Sequence, residues 1–153
     1  ELSQAKNYLV LLNPEVFSSK ESYIASLAAS NYDLLIIDAY YGDSMLTPQD
    51  VARLQYKPGG SRRLVASYMS VGEAEDYRPY WQSQWGTNPP DWMWIANGDW
   101  EGNYRVRYWS KDWQKMLMGS PQSYLDQILA AGFDGAFLDV IDVFYVFEDI
   151  ANQ

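Results

Sequence analysis

Three apolar runs in the chain each end on an acidic residue. The runs cover residues 34–37, 64–72 and 135–138, and the acids that follow them are Asp38, Glu73 and Asp139. Buried strands of a parallel sheet read as nearly continuous apolar stretches, and α/β proteins bind ligands outside the carboxyl ends of such strands. We therefore expect these acids to lie close together at one end of a sheet, as in an active site built from carboxylates.

Strand and helix patterns alternate along the chain. Parallel strands are predicted near residues 8–12, 34–38, 64–70, 104–109 and 135–139. Helix starts are marked by the capping residues Ser19, Thr47, Ser110 and Ser120. This alternation predicts an α/β fold with right-handed crossovers between parallel neighbours. We count five or six strands.

Two stretches are predicted to be loops. Residues 72–77 follow the second apolar run and look like a loop rather than the start of a helix. Residues 86–102 are rich in Pro, Gly, Asn, Asp and Trp. For them we expect a long functional loop that contains one short strand over residues 92–96.

The composition is that of one folded, acidic domain. The chain has 153 residues, of which 48% are hydrophobic and 20% are charged, as in ordinary globular domains. We therefore expect a single domain over residues 1–153. The net charge of −9 argues against nucleic acid as a partner, because phosphates require a basic face. Cationic partners are favoured instead.

The chain contains neither cysteine nor histidine. This excludes Cys-His and Ser-His-Asp catalysis and any zinc site built on those residues. Carboxylates and tyrosines must carry any acid-base chemistry, and we expect no metal ion and no cofactor. No run reaches the roughly 18 apolar residues of a membrane span. Because the chain begins at Glu1 rather than Met, we expect a leader to have been removed, either by processing or by the design of the expressed protein.

Asp38 and Asp139 are the candidate catalytic residues. Glycoside hydrolysis needs two carboxyl groups, one to protonate the leaving oxygen and one to attack the sugar or activate water. Asp38 is not needed as a helix cap, because Thr47 caps the helix that follows it. Asp142 can likewise cap a helix after Asp139. The alternative for each candidate is a structural acid paired with an arginine or with backbone N–H groups.

Aromatic residues are concentrated between the second and third apolar runs. All seven tryptophans lie between Trp81 and Trp113, with several tyrosines among them. Flat aromatic faces beside acids suggest a sugar-binding site. We expect at least two tryptophans to be partly exposed beside the carboxylates, from the set Trp81, Trp94, Trp100 and Trp109. Core packing accounts for the remaining aromatic residues.

Charged residues flank this aromatic region. We favour Glu73 as the acid that reaches the pocket, while Glu75 meets Arg78 or solvent. Arg105 and Arg107 share one face of a predicted strand. There a guanidinium could orient a sugar hydroxyl or, equally, form a salt bridge at the edge of the core.

Three longer motifs resemble a known family. Residues 70–78, 100–109 and 132–142 look like the corresponding segments of the TIM-barrel glycoside hydrolase family 114. That family includes endo-α-1,4-polygalactosaminidases. The resemblance implies a (β/α)8 barrel, secretion, and hydrolysis of a galactosamine-containing polysaccharide. It also implies that an Asp at the position of Asp139 is one catalytic carboxylate, and that Asp38 and Glu73 match acids lining the pocket.

The candidate site combines these residues. Asp139 and Asp38 are predicted to be catalytic. The predicted substrate-binding residues are Glu73, Tyr68, Trp100, Tyr104, Arg107, Trp109 and Asp142. The expected partner is a polysaccharide, and a cationic amino sugar suits the acidic chain.

The length of the chain departs from the family pattern. A full barrel needs roughly 250 residues, so the last strands, with the partner glutamate, are expected to be missing from these 153 residues. Three functions stay open: a glycoside hydrolase, a non-catalytic carbohydrate-binding or scaffold protein, and a fragment whose exposed strand edges pair with another chain.

Overall fold

The computed structural model describes the backbone of residues 1–151 and the side chains of residues 1–149. The chain forms two compact units. Unit 1 comprises Glu1–Met69 and Gln127–Phe137, and unit 2 begins as Ser70–Asp126 and resumes at Leu138. Each of the two stretches of unit 1 ends within a strand, and the last part of that strand belongs to unit 2. The expectation of one domain stays a prediction.

Unit 1 is built on a parallel sheet. Its strands are β1 (Tyr8–Leu11), β2 (Leu34–Ile37), β5 (Leu64–Ser70) and β9 (Gly135–Asp139), in the order β1-β2-β5-β9. The pairs β1–β2 and β2–β5 are parallel, with Tyr8 opposite Leu34 and Leu34 opposite Leu64. Four of the five predicted strands are therefore confirmed.

Two helices of unit 1 begin at the predicted caps. The helix α1 (Lys20–Ala28) starts after Ser19, whose side chain accepts a hydrogen bond from the Ser22 N–H. The helix α2 (Pro48–Leu54) starts after Thr47, with a proline in its first turn. Between β2 and α2 lies a short hairpin of β3 (Tyr40–Tyr41) and β4 (Ser44–Met45). The apolar runs of β2 and β5 supply the core of this unit.

Unit 2 contains a second, antiparallel sheet. Its strands are β6 (Glu73–Glu75), β7 (Met93–Ala96) and β8 (Asn103–Val106), in the order β6-β8-β7. The helices α3 (Lys111–Leu117) and α5 (Phe144–Ala151) follow later, and α4 (Tyr124–Ala130) runs from unit 2 into unit 1. The short strand expected over residues 92–96 is confirmed as β7.

Two expectations about this region are wrong. The segment 104–109 was expected to join the parallel sheet, but β8 pairs antiparallel with both β6 and β7. Among the residues that the structure describes, the parallel sheet therefore has four strands. Residues 72–77 were expected to be a loop, but β6 forms within them because their backbone groups pair with β8. Alternating polarity predicts a strand but does not show which strand will pair with it.

The later helices also differ in detail from the sequence prediction. Helix α3 follows Ser110, as expected, but the Ser110 side chain makes no cap hydrogen bond. Helix α4 starts at Tyr124, because residues 120–123 first form a turn in which the Ser123 N–H donates to the Ser120 carbonyl oxygen at 2.9 Å. Among the described residues, no helix is long and apolar enough to cross a lipid bilayer.

The cap of α2 yields a test of pH-dependent stability. Asp50 accepts hydrogen bonds from Lys20 Nζ at 2.8 Å and from the backbone N–H and hydroxyl of Thr47 at 2.9 Å. Burial raises the pKa of Asp50, but the bonds from Lys20 and Thr47 outweigh burial and hold that pKa below its ordinary value. A carboxyl with a lowered pKa stabilises the fold above its unfolded-state pKa, and this stabilisation is lost as the pH falls through the folded-state pKa.

We expect Asp50→Asn to lower the free energy of unfolding by about 1 to 2 kcal/mol at pH 7. The difference from wild type should shrink in acid, where the wild-type carboxyl becomes protonated as well. Urea unfolding at a series of pH values measures this. Glu21→Gln is the matched control, because the carboxylate of Glu21 is exposed and pairs only at the surface with Arg53. A constant difference between wild type and Asp50→Asn across the pH range would contradict the assignment.

Candidate active site

The two candidate catalytic acids both lie at carboxyl ends of strands. In unit 2, Asp139 is the last residue of β9, is half-buried, and its carbonyl oxygen accepts a hydrogen bond from the Val71 N–H at 3.1 Å. In unit 1, Asp38 directly follows β2, and its Oδ1 accepts from the Tyr40 N–H at 2.9 Å. The predicted positions at strand ends are thus found in the structure, while the catalytic roles stay predictions.

Glu73 lies in a buried polar cluster of unit 2. Only 3% of the residue is exposed. Its Oε1 accepts from Asn97 Nδ2 at 2.7 Å, and its Oε2 accepts from Asn103 Nδ2 at 3.0 Å. Arg105 Nε lies 4.0 Å from Oε1. A buried carboxylate requires such partners, because burial without them is very costly, so the partners hold Glu73 in one orientation.

Glu75 belongs to the same network. It lies two residues after Glu73 on β6, and residues two apart share a face of a strand. Tyr77 Oη donates to its Oε1 at 2.7 Å, and Arg78 Nε donates to its Oε2 at 2.7 Å. The expectation that Glu75 meets Arg78 is confirmed. Asn103 connects the two acids, since its amide oxygen lies 3.3 Å from the Tyr77 hydroxyl.

Aromatic rings surround this network. The Arg78 guanidinium lies 5.1 Å from the centre of the Tyr77 ring and 5.6 Å from that of Tyr124. The Tyr80 hydroxyl accepts from the Glu75 N–H at 3.0 Å. Burial, together with the charge of Glu75, raises the pKa of Tyr80 well above the ordinary tyrosine value. Tyr80 is consequently neutral at neutral pH and serves this network as a hydrogen-bond acceptor.

The tryptophans divide into buried and exposed groups. Trp85, Trp92 and Trp113 are buried and pack against one another, with ring centres 5.1 Å apart for the first pair and 5.0 Å for the second. By contrast, 69% of Trp100 and 50% of Trp109 are exposed. At least two of the four candidate tryptophans are therefore partly exposed, while their position beside the carboxylates stays a prediction. Exposed indole faces are the kind of surface on which a sugar ring can stack.

The remaining predicted binding residues have different environments. Tyr104 is half-buried and packs on Trp81, with ring centres 5.0 Å apart. Arg107 donates through Nη1 to the carbonyl oxygen of Asp91. In unit 1, Tyr68 is a buried residue of β5.

Asp142 is exposed in the segment between β9 and α5. Its carbonyl oxygen accepts from the Tyr145 N–H at 3.0 Å. The helix α5 begins at Phe144, two residues after Asp142. This contact belongs to the backbone rather than to the side chain that the sequence suggested as a cap.

A cavity of about 710 Å³ lies in unit 2. Its walls are mostly apolar and come from α3, from α5 and from the segment after Asp139, with Lys111 and Lys115 at the α3 side. None of the predicted site residues lines it. Polar groups must orient a sugar in its site, so this apolar cavity does not match the predicted carbohydrate site. Among the described residues, no cluster of acids could hold a metal ion.

Sequence reasoning missed the amides that hold Glu73. Asn97 falls in the stretch that was expected to be a loop, where Asn is common in turns, and Asn103 directly follows that stretch. The signal that could have identified Asn103 is strand pairing, because a strand that pairs with residues 73–75 places Asn103 directly opposite Glu75. That pairing cannot be inferred from local patterns.

Known proteins resemble the chain in sequence. Over 124 residues it is 44% identical to an uncharacterized protein of Thermotoga maritima, covering 77% of this chain and 35% of that protein. Over 125 residues it is 40% identical to uncharacterized protein MJ1477 of Methanocaldococcus jannaschii, covering 79% of this chain and 34% of that protein. The chain therefore spans about a third of the length of these curated relatives.

Solved structures share the fold. The glycoside hydrolase domain of PelA from Pseudomonas aeruginosa superposes with a TM-score of 0.59 at 19% identity, covering 92% of this chain and 46% of that one. Aspergillus fumigatus Ega3, crystallised in complex with galactosamine, superposes with a TM-score of 0.58 at 22% identity, covering 91% and 45%. The α/β fold of the chain is accordingly that of part of a TIM barrel.

A family model assigns most of the chain. The model for glycoside-hydrolase family GH114 matches residues 13–153. This range includes all of the predicted site residues. The chain therefore belongs to glycoside-hydrolase family GH114.

Proposed function

We propose that this chain carries one of the two catalytic carboxylates of a glycoside hydrolase that acts on a galactosamine-containing polysaccharide. The observation that carries the proposal is the position of Asp139 at the carboxyl end of β9, within the range matched by the GH114 model. In barrels of this fold, catalytic residues project from the carboxyl ends of strands. The galactosamine in the Ega3 complex supports the choice of sugar.

The chemistry requires two carboxyl groups. One gives its proton to the glycosidic oxygen as the bond to the anomeric carbon breaks. The other, ionised, attacks that carbon or takes a proton from the attacking water, and water supplies the new hydroxyl. We assign the ionised role, or the stabilisation of the positive charge on the sugar, to Asp139. The second carboxyl is proposed to come from the part of the barrel that the longer relatives have and these residues do not match.

The charge of the chain suits an amino sugar. Galactosamine carries an amine that is protonated at neutral pH, whereas the chain has a net charge of −9. An acidic surface raises the local concentration of a cationic polymer. The proposed polymer is therefore one whose amines are at least partly free.

Exposed tryptophans are the proposed stacking surface. The ring of Trp109 packs edge-on against Phe147, with centres 4.8 Å apart, yet half of the residue is open to solvent. Trp100 is more exposed than Trp109, and it lies three residues after Asn97, whose side chain donates to Glu73. A ring fixed on one side and open on the other offers a preformed apolar face.

We expect galactosamine oligomers to change the tryptophan fluorescence of the 153-residue chain. The change should be reduced in Trp100→Phe and Trp109→Phe, because phenylalanine keeps an aromatic face but removes the indole signal at that position. Trp85→Phe is the control, since Trp85 is buried and packs edge-on against Trp92. Unchanged fluorescence at saturating oligomer would favour core packing as the role of these residues.

The second candidate function is non-catalytic carbohydrate binding. It uses the same exposed tryptophans without the second carboxyl, and it predicts that the sugar is bound but never cleaved.

Self-association is proposed on separate grounds, because the edge strand β1 exposes Tyr8 and Val10, and an unpaired strand edge is a site for pairing with another chain. Secretion is proposed on the family resemblance.

A further inference from the structure

The residue after Asp139 has an unusual backbone conformation. Val140 has a φ of 56°, and it is the one non-glycine residue with a positive φ among the residues the structure describes. A β-branched residue in this region is a genuine outlier, because its branched Cβ crowds the backbone. Such a conformation persists only where the surrounding structure imposes it.

Gly72 lies directly against this turn. A Cβ on Gly72 would stand 2.2 Å from the carbonyl oxygen of Val140 and 2.8 Å from its Cγ1. The first of these contacts is with backbone, which cannot rotate out of the way as a side chain could. Only glycine at position 72 therefore allows the two segments to approach this closely.

The segment that carries Gly72 is itself held in place. The Trp113 indole Nε1 donates to the Val71 carbonyl oxygen at 2.9 Å, and the Val106 N–H donates to the Gly72 carbonyl oxygen at 3.1 Å. The Val71 N–H in turn donates to the Asp139 carbonyl oxygen at 3.1 Å. Residues 71–72 thus connect the buried Trp113 and the strand β8 to the backbone of Asp139.

We propose that Gly72 and Val140 are positioning residues for the Asp139 carboxylate. The Val71 N–H fixes the carbonyl group of Asp139, and the left-handed turn at Val140, packed against Gly72, fixes the peptide that follows. Because the backbone that follows the Asp139 Cα is held in place, only the side-chain torsions of Asp139 remain free to change the direction of its carboxylate. The catalytic consequence rests on the proposed function of Asp139, whereas the structural constraint does not.

The test substitutes Gly72 with alanine. Because the added methyl group collides with backbone, Gly72→Ala must displace the turn at Val140 and with it Asp139. Gly86→Ala is the matched control, since a Cβ there meets nothing within 4 Å. Two readouts are needed: the ¹³C chemical shift of the Asp139 carboxyl in the 153-residue chain, and kcat and KM on a galactosamine oligomer in a protein with the complete barrel.

We expect Gly72→Ala to move the Asp139 carboxyl shift and to lower kcat about 100-fold, with KM changed less than about threefold. Gly86→Ala should change neither readout. If wild type shows no hydrolysis, the proposed function fails, and the chemical shift alone decides the positioning claim. An unmoved Asp139 carboxyl shift in folded Gly72→Ala overturns the proposal.

A second pair of variants serves if Gly72→Ala does not fold. Asn tolerates a positive φ, whereas the proline ring holds φ near −65°. We expect Val140→Asn to keep the wild-type carboxyl shift and a kcat within about threefold of wild type. Val140→Pro should keep neither the wild-type carboxyl shift nor the near-wild-type kcat. Equal behaviour of the Asn and Pro variants overturns the proposal, because the turn at Val140 would then not determine the position of Asp139.

Discussion

Asp139→Asn should lower the rate of glycosidic cleavage about a thousandfold while leaving the fold intact. The protein to use is one in which these 153 residues are continued by the remaining length of a longer relative, such as that of Thermotoga maritima. The substitution replaces one oxygen by a nitrogen of similar size, so packing at the end of β9 is unchanged. It removes the negative charge that forms or stabilises the glycosyl intermediate.

Asp112→Asn is the matched control for the lost charge, because the side chain of Asp112 is 80% exposed on α3. Its reducing-end release should equal that of wild type. Asp38→Asn should have a smaller effect than Asp139→Asn if Asp38 only positions the sugar. Near-normal turnover with Asn at position 139 would mean that the catalytic carboxylate lies on another strand.

Arg78→Met should destabilise unit 2 by about 3 to 5 kcal/mol. The side chains of Arg78 and Glu75 are only 4% and 1% exposed, and the Nε and Oε2 atoms lie 2.7 Å apart. Removing the guanidinium leaves a buried carboxylate whose remaining side-chain donor, among the described residues, is the Tyr77 hydroxyl. The cost of that uncompensated charge is much larger than the loss of one hydrogen bond.

The double variant Glu75→Gln with Arg78→Met separates the cost of the unpaired buried charge from the loss of the hydrogen bond. It should be more stable than Arg78→Met alone, because the unpaired charge is removed together with its partner. Lys115→Met is the control, since it breaks an equivalent i,i+3 pair with Asp112 that is exposed, and it should change stability little. Denaturant unfolding compares the variants. Equal effects of Lys115→Met and Arg78→Met would show that burial does not determine the strength of the Glu75–Arg78 pair.

The parallel sheet could be predicted because its signals are local. The strands β2 and β5 read directly as apolar runs, since both faces of such strands are buried. The caps Ser19 and Thr47 mark helix starts because their side chains accept from backbone N–H groups three residues away. Each of these features depends on residues close together in the chain.

The antiparallel sheet could not be predicted in the same way. The strand β6 has the sequence Glu-Ala-Glu, which carries no apolar pattern, yet all three residues are buried. Its burial is made possible by Asn103, thirty residues away from Glu73, and by the pairing with β8. The direction of β8 was missed for the same reason, because periodicity reports which faces are buried and not which strand lies alongside.

The candidate site was predicted in part. The position of Asp139 at a strand end follows from the apolar run before it. The conformation of Val140 does not, since a valine in sequence argues for an extended backbone. The close approach of Gly72 to Val140 is a contact between residues far apart in the chain, and a glycine in sequence does not reveal what it touches.

The central claim is tested most directly by reducing-end release from polygalactosamine. We expect the 153 residues alone to cleave the polymer little or not at all, because hydrolysis needs two positioned carboxyl groups. The same residues continued by the complete barrel should cleave it, and Asp139→Asn in that protein should not. Binding of the polymer without cleavage by the complete barrel would contradict the claim and favour the non-catalytic carbohydrate-binding function.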